Sequence, residues 1–300
     1  MELTRREMLK IMAATGAVAL WPKWATDAHA ARRIVAYKGE QAATVRKVVE
    51  ELGGIKKFIA KGDKVVIKPN MGFAVPPLRS SNTDPIVIRT LAELVLEAGA
   101  KSVQILDNPV HPIAMCKLRN GIAKELEDLD DVYIDLVKDE KFFADVAIPH
   151  GRKLKRTRVL RAILEADAVI NAPMAKSHGG SIVSFSLKNW MGAIKNRIEW
   201  HRDINLHQAI ADFATYIKPK FTILDATRAL TTGGPGGPGE IKHLQTIIGG
   251  LDQVAIDSFA VGLATWNGKS YQPADIPHIK LAAEQGVGSM DLSGLITLTV

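Results

Sequence analysis

The chain has 300 residues, of which 47% are hydrophobic and 24% charged, with a formal net charge of +7 and a mean hydropathy of +0.04. This balance excludes collagen-like, low-complexity and disordered classes, and the length accommodates one large domain or two lobes with a sizeable core. A single cysteine, Cys116, excludes an internal disulfide framework, a cysteine-ligated zinc site and a self-contained iron–sulfur cluster.

Residues 1–30 read as an export address. Arg5-Arg6 precedes a short apolar run over 11–20, about half of the roughly 20 residues a membrane-spanning helix needs. The pattern resembles a twin-arginine signal, and Ala28-His29-Ala30 supplies small residues for cleavage before Ala31. The expectations are a periplasmic destination, a transient partner in the twin-arginine export machinery, and no stable membrane span after cleavage. Twin-arginine substrates generally cross already folded, often with a cofactor inside. Cleavage removes four basic and three acidic residues, leaving 35 against 29 and a charge of +6.

Over 31–300, short β-branched runs alternate with helical periodicity. Strands are expected at 64–68, 102–106, 132–136, 168–171, 221–224 and 244–248. A helix capped by Thr83 or Asp84, with Pro85 in its first turn, closes at Gly99. Further helices are expected over 113–126, 203–217, 254–266 and 276–284. Strands separated by helices of this length predict an α/β fold, a mainly parallel sheet flanked by helices, with one domain or two lobes around a cleft. The turn-rich stretch near 175–185 is the candidate crossing between lobes. The basic run Arg152-Lys153-Leu154-Lys155-Arg156-Thr157-Arg158 reads as a charged edge strand or an anion-attracting surface. Without interleaved aromatics it predicts no nucleic-acid partner.

In parallel α/β sheets ligands gather at the carboxyl ends of strands. Polar residues stand at four such ends: Lys68 and Asn70, Asp107 and Asn108, residues 171–178, and Asp225. One shared cleft is therefore expected. Lys176, His178 and Lys188 bring two cations and a titratable ring within a short stretch, and are the candidate catalytic residues. Clustered lysines depress at least one pKa, which suits a bound carboxylate or phosphate, a lysine base, or a Schiff-base nucleophile. His178 is expected to exchange a proton near neutral pH. Lys68, Asn70, Asn189 and Asp107 are candidate ligand-binding residues. The run Gly233-Gly234-Pro235-Gly236-Gly237-Pro238-Gly239 reads either as an anion-contacting or lid loop, with Gly234, Gly236 and Gly237 at the ligand, or as a surface turn. It is neither a Walker loop nor a Rossmann fingerprint.

The order Val66-Ile67-Lys68-Pro69-Asn70, Asn82-Thr83-Asp84-Pro85, Lys176-Ser177-His178, Leu187-Lys188-Asn189, His207, the glycine-rich run, then Asp252 and Asp257 resembles the domain-of-unknown-function 362 family. The likeness implies no single reaction. Many relatives carry ferredoxin-type cysteine clusters, which this chain lacks, so no iron–sulfur cofactor is expected. His178, Lys188 ten residues on, and the more distant His207 also resemble a spacing in lactate racemase, whose lysine holds a nickel-pincer cofactor. That likeness implies His178 and His207 as metal ligands and a metal-cofactor isomerase or oxidoreductase. The combined expectation is an exported protein whose Lys/His/Asn-lined cleft takes a small anionic molecule or an organic or metal cofactor. It acts either as an enzyme or as a non-catalytic carrier.

Overall fold

The computed structural model describes residues 34–293 and 295–299, so the export address lies outside the described residues. Strand β1 (Ile34–Lys38) and helix α1 (Gln41–Glu51) lead into β2 (Lys64–Pro69), α2 (Pro85–Glu97) and β3 (Ser102–Asp107). Helices α3 (Ile113–Arg119) and α4 (Ile122–Glu125) precede β4 (Val132–Leu136), the hairpin β5 (Phe143–Ala147) and β6 (Arg156–Leu160), and α5 (Arg161–Glu165). Next come β7 (Ala168–Ala172), β8 (Met174–His178), β9 (Ile182–Ser184), α6 (Ser186–Asn189), α7 (Arg197–Arg202) and α8 (Leu206–Tyr216). The chain finishes with β10 (Phe221–Leu230), β11 (Ile241–Gly250), α9 (Gln253–Val261), α10 (Pro277–Glu284) and β12 (Leu295–Thr299).

Among the described residues, ten strands form one sheet with the path β12-β1-β11-β10-β7-β2-β3-β4, and β8 and β9 continue beside β10. The neighbours from β10 to β4 run parallel, while β11 is antiparallel to both β1 and β10. Alternate residues feed two cores. Val65, Ile67, Ala168 and Ile170 face α1 and α2, whereas Val66, Val169, Leu224 and Ile248 face α8, α9 and α10. A sheet covered on both faces explains why its inner strands read as continuous apolar runs. No described helix is long and apolar enough to cross a membrane.

All six expected strands are present. The helix expected over 113–126 is two helices, because Gly121 adopts φ 79° between them. The one expected from 203 starts at Leu206 behind Asn205, whose side chain accepts the Gln208 N–H. The one expected to reach 266 ends at Val261. Gly179 and Gly180 lie in the turn joining β8 to β9, antiparallel strands of one sheet. That stretch is therefore a hairpin turn within one sheet. The basic run leads into β6, which forms a ladder with β5 and a single bridge from Val159 to Ile194, and Asp212 anchors the backbone N–H groups of Lys153 and Leu154.

Candidate functional site

Pro173 has no N–H for the ladder and separates β7 from β8. The ten-residue β10 pairs first with β7 and then with β8, so the chain carries Lys176 and His178 onward past the carboxyl end of β7. There they meet Lys68 at the end of β2 and Asp107 at the end of β3. Lys68, Asn70, Asp107, Lys176, His178 and Lys188 all line one cavity of about 420 Å³, together with Asn189. Its size lies in the range of small-molecule sites, roughly 300–1,000 Å³.

The three lysines differ in what they touch. Lys68 Nζ is fully buried 3.1 Å from Asp107 Oδ1, and Asp107 Oδ2 accepts the Met71 N–H at 2.9 Å. Burial pushes the Lys68 pKa down and Asp107 opposes that shift. Lys176 Nζ donates to Asn70 Oδ1 at 3.1 Å and to the Ser81 carbonyl, and lies 4.3 Å over the Phe73 ring. Burial, then the charge of Lys188, holds its pKa well below the ordinary value. Lys188 Nζ is only 3.2 Å from the thioether of Met191, a weak acceptor. No carboxylate among the described residues pairs with it, and burial, with Arg197 nearby, pushes its pKa down to about 7.

A network of buried amides holds the short helix that carries Lys188. Asn189 Nδ2 donates to the Lys68 carbonyl at 3.0 Å and to Asn171 Oδ1 at 2.8 Å. Asn171 Nδ2 donates to the Ser186 carbonyl and to Gln253 Oε1, which also accepts from Trp190 Nε1. Asp257 receives the Ser186 and Leu187 N–H groups, and burial raises its pKa to about 7. Because these polar groups are mutually satisfied, the network locks one geometry. The Asn82-Thr83-Asp84 segment serves the opposite wall. Asn82 clamps the Phe73 backbone, Thr83 links Asn70 to the Ala172 carbonyl, and Asp84 caps α2 while pairing with Arg228.

Other expectations change. His178 Nδ1 accepts the N–H groups of Gly180 at 2.9 Å and Ser181 at 3.2 Å, so the neutral ring carries its proton on Nε2. Burial, with the lysine charges, drives its pKa to about 2. His178 is thus a neutral hydrogen-bond donor at pH 7, not the proton exchanger expected there. Asp225 is buried within β10, where it binds the Asp84 N–H and Thr227, and does not line the cavity. Of the glycine-rich run, only Pro235 reaches the cavity. Gly234 donates to Ser177 Oγ at 3.0 Å, Gly236 packs on Phe73, and Gly237 sits at φ 72° in the same turn. None of the three lines the cavity: close approach to the Ser177 carbonyl demands Gly234, a left-handed φ favours Gly237, and Gly236 meets only the Phe73 ring.

His207 is outside the cavity lining. Its Nδ1 lies 3.2 Å from His278 Nδ1, with the rings stacked 5.4 Å apart. Among the described residues, no group of three or more His, Cys, Asp or Glu side chains can hold a metal ion. With His178 Nδ1 occupied by backbone donors, a metal on Nε2 would force a proton onto Nδ1 against two N–H groups. This donor set does not fit a metal held by His178 and His207. Arg197 lines the cavity although nothing in the sequence marked it. Its Nε donates to the Met191 carbonyl at 2.9 Å, and it also contacts the Asn108 carbonyl.

A thylakoid-associated protein of Synechocystis sp. is 29% identical over 260 residues, covering 83% of this chain and 76% of its own length. The lactate racemase apoprotein of Thermoanaerobacterium thermosaccharolyticum aligns with 70% of this chain at 12% identity and a TM-score of 0.42, and the chain spans 54% of that structure. The sequence pattern described as Domain of unknown function (DUF362) matches residues 65–262, more than half of the chain, and the chain belongs to that family.

Proposed function

We propose that the cavity binds a small carboxylate- or phosphate-bearing molecule, or an organic cofactor bearing such a group, and that Lys188 exchanges a proton with it. The supporting observation is charge imbalance: buried Lys68, Lys176 and Lys188, with half-buried Arg197 and exposed Arg202, line the wall against one carboxylate, Asp107. Buried cations without counter-charges are costly, and an anion relieves that cost through charge-assisted hydrogen bonds. Lys188, balanced near pH 7, can accept a proton or return one, while His178 offers a neutral N–H. Titration calorimetry with oxalate, phosphate and acetate tests this reading. Saturable binding of at least one anion, weakened about tenfold or more by Lys188→Met, is the expected result. Failure of all three to bind at millimolar concentration overturns it. Turnover in a mixture of anionic metabolites marks an enzyme, and binding without product marks a carrier.

The Arg5-Arg6 segment supports a second, separate proposal: residues 1–30 direct export by the twin-arginine route to the periplasm. Replacing both arginines with lysine is expected to leave the protein in the cytoplasmic fraction. An unchanged periplasmic fraction refutes it.

A further inference from the structure

The three lysine amines of the cavity are set apart by their acceptors. Lys68 has a carboxylate, and Lys176 has a carbonyl, an amide oxygen and an aromatic face. Lys188, itself 7% exposed and lining the hollow, has among the described residues only the thioether of Met191. An ammonium wants three good acceptors and an amine needs none, so these surroundings favour the neutral form with its lone pair free. The same Met191 ties the amine to a fixed cation: its sulfur touches Lys188 and its carbonyl receives Arg197 Nε at 2.9 Å. A nucleophilic nitrogen and a guanidinium thus flank one residue on one wall.

We propose that Lys188 forms an imine with the carbonyl carbon of a 2-oxo acid, with the substrate carboxylate facing Arg197 and Lys176. This rests on the anion-binding reading above and names its substrate class. The amine lone pair adds to the carbonyl carbon. The two amine hydrogens leave with the carbonyl oxygen as water, and C=N replaces C=O without any oxidant or reductant. Protonation of the imine from solvent adds a positive charge to a wall already rich in cations. A neutral aldehyde or ketone brings nothing to offset it, whereas a carboxylate on the adjacent carbon does so directly. His178, held neutral with its proton on Nε2, adds a donor to the same cavity without adding charge.

The test is reductive trapping on the intact protein. Pyruvate or glyoxylate is added with sodium cyanoborohydride, and the modified lysine is located by peptide mass mapping. The expected result is one adduct per chain on Lys188, formed more slowly in the presence of oxalate and absent in Lys188→Arg. Labelling spread over exposed lysines and unaffected by oxalate overturns the proposal. The map is read on the wild-type chain, so it stands whether or not the variant folds. Calorimetry with oxalate separates the two levels of inference. Oxalate binding without a Lys188 adduct removes the imine and leaves the anion site, whereas failure of oxalate, phosphate and acetate all to bind removes both.

Discussion

Lys68 Nζ and Asp107 Oδ1 stand 3.1 Å apart at the carboxyl ends of adjacent parallel strands, both closed off from water. Gly192 makes room for the pair, since a Cβ there would collide with Asp107 Oδ1 and lie 2.6 Å from Lys68 Nζ. Breaking a buried pair by removing one partner strands the other charge and costs about 3–5 kcal/mol. Asp107→Ala is therefore expected to lose roughly that much stability in urea denaturation. The double change with Lys68→Met should lose less than the sum of the two single changes. Gly192→Ala should destabilise as well, by steric conflict alone. Strict additivity of the Lys68 and Asp107 changes would show that the pair is not coupled.

Lys188 also sets a pH dependence of stability. Its pKa is about 7 in the folded chain against an ordinary 10.5. Between those values the unfolded chain holds a proton that the folded chain does not, so this group's contribution to stability rises with pH across that window. Lys188→Met removes the penalty. Its melting temperature should exceed that of the wild type at pH 6, with the gap closing toward pH 10. Scanning calorimetry across this range checks it, and a variant that is less stable at pH 6 contradicts it.

Ligand affinity should show the opposite trend. The ammonium of Lys188 attracts an anion and the neutral amine does not, so oxalate affinity is expected to fall as pH rises through about 7. Bound anion favours the ammonium, so binding near pH 7.5 should take up protons. Calorimetry in buffers of different ionisation enthalpy measures that uptake. A flat profile between pH 6 and 8.5 eliminates Lys188 as the titrating group.

Removing Asn171 strips partners from Asn189 Nδ2, the Ser186 carbonyl and Gln253 Oε1 at once. Gln253 Oε1 keeps Trp190 Nε1 and Asn189 Nδ2 keeps the Lys68 carbonyl, but each buried hydrogen bond lost still costs on the order of 1 kcal/mol. Asn171→Ala should therefore lower the melting temperature and loosen the helix bearing Lys188, so that oxalate affinity drops although Asn171 does not line the cavity. Unchanged affinity in a folded variant would remove the positioning role.

Two glycines of one loop should respond differently. A Cβ at Gly234 would collide with the Ser177 carbonyl, whereas one at Gly236 would lie 3.3 Å from the edge of Phe73. Gly234→Ala is expected to push Pro235 off the cavity wall and weaken anion binding, and Gly236→Ala to be nearly silent. Equal effects of the two in calorimetry would refute this account of the loop.

Strands β2, β3, β7 and β10 were legible because a sheet buried on both faces demands long β-branched runs, and the part-exposed β4 and β11 because short β-branched runs mark them as well. β8 and β9 were not legible. Met174-Ala175-Lys176-Ser177-His178 carries its polar groups into a cavity that only tertiary contact creates, so its strand character leaves no alternating pattern. Lys68, Asn70, Lys176 and His178 stood out as polar residues near strand ends, and their convergence follows from parallel topology, while Lys188 stood out by sharing one short stretch with Lys176 and His178. Arg197 did not stand out, because it lies at no expected strand end and in no spacing that marks a site.

By itself, then, the sequence determined six strands of the sheet and most of the helices, through local periodicity, caps and glycine placement. It also determined which cations lie near the ends of those elements. Tertiary structure alone decided what each side chain faces: a carboxylate for Lys68, a carbonyl and a ring for Lys176, a thioether for Lys188, and two backbone N–H groups for His178. Proton affinity depends on those neighbours and on burial, which are set by residues distant in the chain. Spacing along the chain carries no record of them.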